Sequence, residues 1–344
     1  MGEGNSGLTV SVVVPAYNAG EDLDRCLEAI FLSDYPLAEC IVVDDASTEA
    51  GTAEIARKHG ATLIRMDKQS GPGLARNRGA RAAKGDVLMF TDADVVLHPE
   101  AIGIAMRTLQ AEPDIAAVFG SYDDEPAHPS FLSRYRNLYH HWNHQLGNEE
   151  ASTFWTGCGA IRREVFLELG GFSKEFERPS IEDIELGYRL RAAGHRIRLL
   201  KDMQGTHLKH WTFSGMIKTD VFQRGIPWVV LLKRHPDVPS DLNLNLGARI
   251  ATVLAGLVLL FLFLLIPGHP ASLSLWPWLL VPLAALAGIA WIQRDFLRLL
   301  GRQYGPGAAL AAIPLQLVFF IGCGLAVPLG YIRYWVEKRG KGSA

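Results

Sequence analysis

The stretch VSVVVPAYN, Val10 to Asn18, decides the fold: an apolar run that stops at Pro15 and gives way to polar residues. A short run of this kind, rich in β-branched residues, is the signature of a strand buried on both faces of a parallel sheet. Working outward, Cys40 to Val43, Thr62 to Arg65 and Val87 to Thr91 repeat the pattern. Between these runs Asp22 to Leu32, Thr52 to Lys58 and Gly73 to Ala83 carry helical spacing, so the order is strand and helix in alternation. The spacing predicts an α/β domain with an open, mostly parallel, Rossmann-like sheet. In such sheets ligands bind beyond the carboxyl ends of the strands. Here those ends carry Pro15-Ala16-Tyr17-Asn18, Asp44-Asp45 and Asp92-Ala93-Asp94. No GxGxxG and no GxxxxGK[ST] follows any of these strands, which removes the dinucleotide and P-loop readings.

The chain has 344 residues, room for about two domains. It carries 34 Lys and Arg against 36 Asp and Glu, a net −2, without the basic excess of a nucleic-acid binder. From Gly247 onward, however, eight basic residues face two acidic ones, leaving −8 on the first 246 residues. Cys26, Cys40, Cys158 and Cys323 are scattered without a CxxC pair, so neither a zinc knuckle nor a disulfide framework is indicated, and a reducing compartment is expected. The first residues lack a basic segment followed by an apolar core, so no signal peptide is expected.

Ile250 to Gln293 and Gln303 to Ile332 contain no Asp, Glu, Lys or Arg. Stretches of about 20 apolar residues cross a bilayer, and three spans are expected at 248–266, 275–292 and 307–332. The domains expected are therefore a cytoplasmic catalytic domain over 1–213, an interfacial amphipathic segment over 214–246 and a membrane domain over 247–344. In the interfacial segment Met216, Ile217, Val221, Phe222, Ile226, Trp228 and Val229 alternate with Lys218, Arg224, Lys233 and Arg234. Lys233, Arg234 and Arg249 before the first span place the N-terminal domain in the cytoplasm. Three spans would then export Arg333, Lys338, Arg339 and Lys341, against the positive-inside rule. Either the last segment is re-entrant, or Phe296 to Tyr304 forms an interfacial helix that changes the count.

Several residue groups carry chemistry. Asp92 and Asp94 flank Ala93 at a strand end, where two carboxylates can share a hard divalent cation or form a solvated acidic turn. Asp44 and Asp45 have the same ambiguity, since Asp and Ser also cap helices. Glu182-Asp183 opens a helix, where acidic residues favour the positive dipole end. His207 and His210 follow a strand-like segment, and an imidazole among oxygens suits Mn²⁺. His140, His141 and His144 give an i, i+4 pair but no HExxH, so packing is expected of them, with Trp142 and Trp155 as candidate stacking surfaces.

The ordered blocks VVVPAYN, VVDDAS, GPGLARNRGA, FTDADV, GCGAIRREVFLELGGF and EDIELGYRLRAAGHRI resemble the family 2 inverting nucleotide-sugar glycosyltransferases, which have the GT-A fold. The resemblance covers about residues 8 to 235, and the apolar tail is similar to the membrane-anchored branch of the family. It implies that Pro15, Tyr17, Asp44 and Asp45 line a nucleobase pocket, that Arg76 meets ribose or diphosphate, and that Asp94, with Asp92 and His207, holds Mg²⁺ or Mn²⁺. It further implies Asp183 as general base with Glu182 shaping the pocket. Gln223 to Trp228 is only loosely similar to the QxxRW motif of processive members: Arg224 follows Gln directly and Pro227 precedes Trp228. Processivity is therefore not expected, though Arg224 remains a candidate for the diphosphate. Glu185 is expected to be solvated or paired with Arg189. The expected partners are a nucleotide diphosphate sugar, a lipid or lipid-linked hydroxyl acceptor and the membrane. A polyprenyl-phosphate acceptor and a non-catalytic scaffold are the alternatives; the DxD triplet and Asp183 speak against the scaffold, and Asp183 mildly against an acceptor that is already anionic.

Overall fold

The computed structural model describes residues 7–235, 245–264 and 276–341. The chain divides into two compact units, the first running to His210 and the second beginning at Trp211.

In the first unit the order is β1 (Val10–Ala16), α1 (Gly20–Phe31), β2 (Glu39–Asp44), α2 (Thr52–Lys58), β3 (Thr62–Arg65), α3 (Pro72–Ala82), β4 (Val87–Thr91) and β5 (Val95–Leu97). There follow α4 (Ala101–Ala111), β6 (Ile115–Tyr122), α5 (Phe131–Leu146), β7 (Cys158–Arg162), α6 (Arg163–Glu168), α7 (Glu182–Ala192) and β8 (Arg196–His207). Eight strands make one open sheet in the order β3-β2-β1-β4-β7-β6-β8-β5. The expected strands pair in parallel, β1 with β2 and β4, and β2 with β3. The strands beyond them bring reversals: β7 runs antiparallel to β4 and β6, and β5 antiparallel to β8.

The period of two within β1 explains why both faces are buried. Val10, Val12 and Val14 enter one core with Leu23, Cys26, Leu27 and Ile30 of α1, while Val13 enters the other with Ala75 and Ala80 of α3 and Leu186 and Leu190 of α7. Each fully buried Leu or Ile contributes about 1.5–3 kcal/mol. Gly79 lets α3 lie close on the sheet, because a Cβ there would sit 2.4 Å from Val13 Cγ1. Among the described residues Cys26, Cys40, Cys158 and Cys323 form no disulfide.

The second unit contains α8 (Phe213–Ile217), a π-helical stretch (Lys218–Gly225), α9 (Ile226–Arg234), α10 (Leu246–Leu264), α11 (Trp276–Ile292), α12 (Arg294–Tyr304) and α13 (Pro306–Lys341). Among the described residues α10 and α13 are each long and apolar enough to cross a membrane. The second expected span, 275–292, falls instead in a bent pair, residues 279–292 of α11 and α12, whose axes turn by 73°, so the described residues hold two such helices, or three if the bent pair is one broken span. The ends of the expected spans at 265, 266 and 275 lie outside the described residues. The break follows from sequence: Gln293, Arg294 and Asp295 end the apolar run, and α12 is amphipathic, burying Phe296 and Leu300 while exposing Arg298 and Arg302.

The segment expected to dip into lipid is partly buried in protein instead. Met216, Val221 and Trp228 are buried, and only Phe222 of the expected apolar set is largely exposed. The reason is a seam of small residues. Gly322, Ala326 and Gly330 recur every four positions along α13 and meet Val221, Gly225 and Val229, spaced the same way. A Cβ on Gly330 would lie 2.5 Å from Val229 Cβ, and one on Gly225 would lie 2.8 Å from Ala326 Cβ. Backbones approach this closely where small residues replace Leu or Ile. Beyond the seam Arg234 pairs with Glu337 at 2.9 Å, and Lys233 Nζ sits 4.3 Å above the Tyr331 ring.

Candidate active site

Three strand ends supply the floor. After β1, Asn18 takes a left-handed conformation (φ 49°), tolerated by its short polar side chain. Its N–H donates to Ser47 Oγ at 3.0 Å and its Oδ1 accepts from the N–H groups of Thr48 and Glu49 at 2.9 and 3.1 Å. Asn18 thus joins the loop after β1 to the loop after β2. Pro15 is half-buried, and Tyr17 next to Asn18 is 41% exposed, a ring open to a ligand rather than committed to the core.

Asp44 and Asp45 at the end of β2 are both buried. Asp44 Oδ1 accepts from Ser47 N–H at 2.8 Å and its Oδ2 pairs with Arg65. Asp45 accepts from the N–H groups of Ser70 and Gly71, each at 2.8 Å, just before α3. Burial pushes its carboxyl up, against the pull of these two donors. These bonds hold the loops that lead to α2 and α3, and neither helix has a side-chain cap, so the expected capping role of the pair is not what the structure shows.

The acidic triplet after β4 splits in two directions. Asp92 pairs with Nη2 of Arg76, which is buried in α3, and Nη1 of the same guanidinium stands 3.4 Å from Glu182 at the start of α7. Arg76 is thus turned inward, joining Asp92 to Glu182, a different engagement from the surface cation that a helix position alone would give. Burial and the neighbouring Asp183 push Glu182 up, while Arg76 opposes them. Asp183 is half-buried; its Oδ1 accepts from the N–H of Ile184 at 2.8 Å and its Oδ2 from that of Thr156 at 3.4 Å. Glu185, one turn along, pairs with Arg189 at 2.7 Å, as expected.

Asp94 turns the other way, toward β8. Strand pairing sets Val95 opposite His207, and His207 Nε2 lies 3.4 Å from Asp94 Oδ2. Burial raises the Asp94 carboxyl, but His207 and Lys209 outweigh it and hold it at about 2. Two residues that the sequence reading did not single out fix the imidazole. Asn137 of α5 accepts from His207 Nδ1 at 2.9 Å and donates to its carbonyl oxygen at 3.4 Å, and Tyr122 stacks on the ring at 4.3 Å between centroids. Since an amide oxygen only accepts, Nδ1 carries the proton and Nε2 is the atom presented to Asp94. Asp22 of α1 is a further nearby acid, pushed up by burial and then by Asp94.

His210 stacks on His128 at 4.0 Å. His144 lies edge-on to Trp155, His140 to Tyr122, and His141 Nδ1 sits 2.7 Å from the Tyr122 carbonyl oxygen. The helical histidines are therefore packed, and so are Trp155, against Tyr122, and Trp142, against Tyr139. Arg224 lies in the π-helical stretch of the second unit.

As a donor set, Asp94 and His207 suit a divalent cation. In the neutral tautomer both facing atoms are acceptors, and Asn137 supplies the outer hydrogen bond that orients metal-binding imidazoles. Among the described residues no cluster of three His, Cys, Asp or Glu side chains stands ready, so the protein offers two ligands at this point.

The family model described as Glycosyl transferase family 2 matches residues 11–170. The chain carries a glycosyl transferase family 2 domain. A second model, described as the N-terminal domain of galactosyltransferase, matches residues 136–211. An uncharacterized glycosyltransferase of Haemophilus influenzae is 29% identical over 192 residues, covering 53% of this chain and 61% of that protein. Validoxylamine A glucosyltransferase of Streptomyces hygroscopicus subsp. jinggangensis is 28% identical over 238 residues, covering 58% and 56%. The chain thus spans between half and two thirds of the length of these two relatives. Among solved structures, a mannosyltransferase from Pyrobaculum calidifontis in complex with GDP-Man and Mn²⁺ shares the fold, with a TM-score of 0.52, 21% identity and coverage of 97% and 89%.

Proposed function

We propose that this chain is a membrane-anchored, inverting glycosyltransferase that moves a sugar from a nucleotide diphosphate sugar to a hydroxyl of a lipid-linked or membrane-proximal acceptor. The observation that carries the reading is Arg76, whose single guanidinium ties Asp92 of the acidic triplet to Glu182 of the ED pair. Two motifs 90 residues apart in sequence thereby converge beyond the strand ends.

In this reading Tyr17, with Pro15, offers an aromatic face to the base and Asp45 accepts from it, with Asp44 holding the loop. Asp94 and His207, with Asp92 adjoining, would hold Mg²⁺ or Mn²⁺. Such a cation neutralises charge developing on a leaving diphosphate. Asp183 takes the acceptor's proton in a single displacement, which inverts the anomeric centre. Arg76 and Glu182 keep Asp92 and Asp183 in register, and Arg224 is a candidate contact for the diphosphate.

We further read the second unit as membrane-embedded, with the catalytic domain cytoplasmic. The contacts of Lys233 with Tyr331 and Arg234 with Glu337 put the residues before α10 and the end of α13 on one face of the unit. These contacts support an even number of crossings between them, which would keep the basic tail with the cytoplasmic residues, as the positive-inside rule requires.

The test is to incubate purified protein with a panel of nucleotide sugars and Mn²⁺, with a lipid extract of its host or a soluble sugar as acceptor. Nucleotide diphosphate release with label entering the organic phase, in a base-stable linkage of inverted configuration, is expected. No release with any donor would overturn the enzyme reading, and label confined to water-soluble product would overturn the acceptor.

A further inference from the structure

A groove of about 440 Å³ opens in the second unit between α11, α12 and the start of α13. Its lining divides by chemistry. Leu297, Pro306 and Ala309 are apolar, whereas Arg294, Arg298 and Arg302 recur at i, i+4 and i+8 and so share one edge of α12. Asp295 is the only acidic residue of that helix; it reaches Arg298 at 2.9 Å and Arg294 at 3.9 Å. The Asp295 and Arg298 side chains are 58% and 64% exposed, so the pair is well screened and the helix retains a net +2.

Two further features fix the depth at which this edge lies. The 73° turn after α11 carries α12 away from the axis of the apolar helix before it, as a helix lying in the headgroup plane requires. Trp291 at the turn is 69% exposed, and the Arg294 guanidinium sits 4.9 Å over its ring. An exposed Trp beneath an Arg is the arrangement found where hydrocarbon meets headgroups. Basic pockets between membrane helices at this level bind anionic headgroups.

We propose that the groove seats one anionic phospholipid of the surrounding bilayer, its phosphate against Arg294, Arg298 and Arg302 and an acyl chain along Leu297, Pro306 and Ala309. The inference rests on the membrane-embedded reading of the second unit and is separate from the acceptor. Arg supplies fork-shaped donors that match phosphate oxygens, and the apolar wall explains why a lipid rather than a free anion is bound.

The test uses the full chain in nanodiscs of equal parts phosphatidylglycerol and phosphatidylcholine, with retained lipids counted by native mass spectrometry after release into detergent. Wild type is expected to retain phosphatidylglycerol over phosphatidylcholine. The triple variant R294Q/R298Q/R302Q should lose that retention by about 100-fold, and Arg302→Gln, an exposed change safe for folding, by about 5-fold. Equal retention of the two lipids by wild type, or unchanged retention in both variants, would overturn the proposal. So would displacement of the lipid by inorganic phosphate alone, which would mark a free-anion site. Failure of the chain to enter nanodiscs of either lipid overturns the membrane reading along with this one.

Discussion

The two flanks of the acidic triplet hold charge in opposite ways. Toward α3 and α7, Asp92 and Glu182 share the buried guanidinium of Arg76, whose two Nη atoms are paired within the protein while its buried Nε has no hydrogen-bond partner. Toward β5 and β8, Asp94 faces an imidazole whose other nitrogen is committed to Asn137, leaving acceptor toward acceptor when His207 is neutral. A flank whose carboxylates share their own buried cation is a frame that stands without ligand. The other flank closes on itself when a protonated His207 donates to Asp94 and opens to an arriving cation when the ring is neutral, and two positions in the chain separate the two behaviours.

The largest effect that would sharpen the contrast is expected from Asp94→Ala. Nucleotide diphosphate release should fall to background while the far-ultraviolet spectrum stays as in wild type, because the ligand-facing flank contributes to binding and not to the frame. Chelator-resistant wild-type turnover in this variant would remove the metal from the account. Next comes Asp183→Asn, nearly isosteric, which should keep donor affinity and lower kcat by about 10²- to 10⁴-fold; a decrease of only a few-fold means another group takes the proton.

Arg76→Gln probes the frame itself. Removing the shared cation strands two carboxylates, one of them buried, and breaking a buried ion pair costs about 3–5 kcal/mol. Its thermal midpoint should drop well below that of Asp94→Ala, and equal midpoints would break the comparison. The smallest effect is expected for Asn137→Ala, which leaves both facing atoms in place but frees the imidazole. Loss of an outer hydrogen bond of this kind weakens metal binding by about 10- to 100-fold. Mn²⁺ titration by electron paramagnetic resonance reads this directly, and unchanged affinity would assign Asn137 to packing alone.

Legibility in the sequence tracked the range of the interactions. Thr62 to Arg65 and Val87 to Thr91 have the expected bounds, since apolar runs bounded by turn residues are local signals. β5, with three residues, is too short for periodicity to register, and the reversed direction of β7 between β4 and β6 depends on pairing across the sheet. In the site, Asp92, Asp94 and His207 stand out by residue type and position. The inward turn of Arg76 does not, because Glu182 is 106 positions away and only the fold brings it near. Asn137 sits in a stretch where neighbouring histidines draw the eye, and an amide gives no sign in sequence of which ring it will orient. In the second unit hydropathy located the apolar helices, whereas the close packing of Val221 and Val229 follows from glycines a hundred residues later that no local window joins to them.

That seam has a consequence for how the chain is made. Val221, Gly225 and Val229 leave the ribosome about a hundred residues ahead of Gly322, Ala326 and Gly330, which at a synthesis rate of about 5–20 residues per second is a delay of roughly 5 to 20 s. Throughout that interval the helical stretch over 218–234 has its α13-facing side uncovered. A bilayer surface or a chaperone is the natural temporary cover, and a chain stalled before residue 322 would carry that uncovered side indefinitely. Truncated or slowly translated forms should therefore be cleared by quality-control proteases even though the first unit, with both sheet faces already packed, has finished folding.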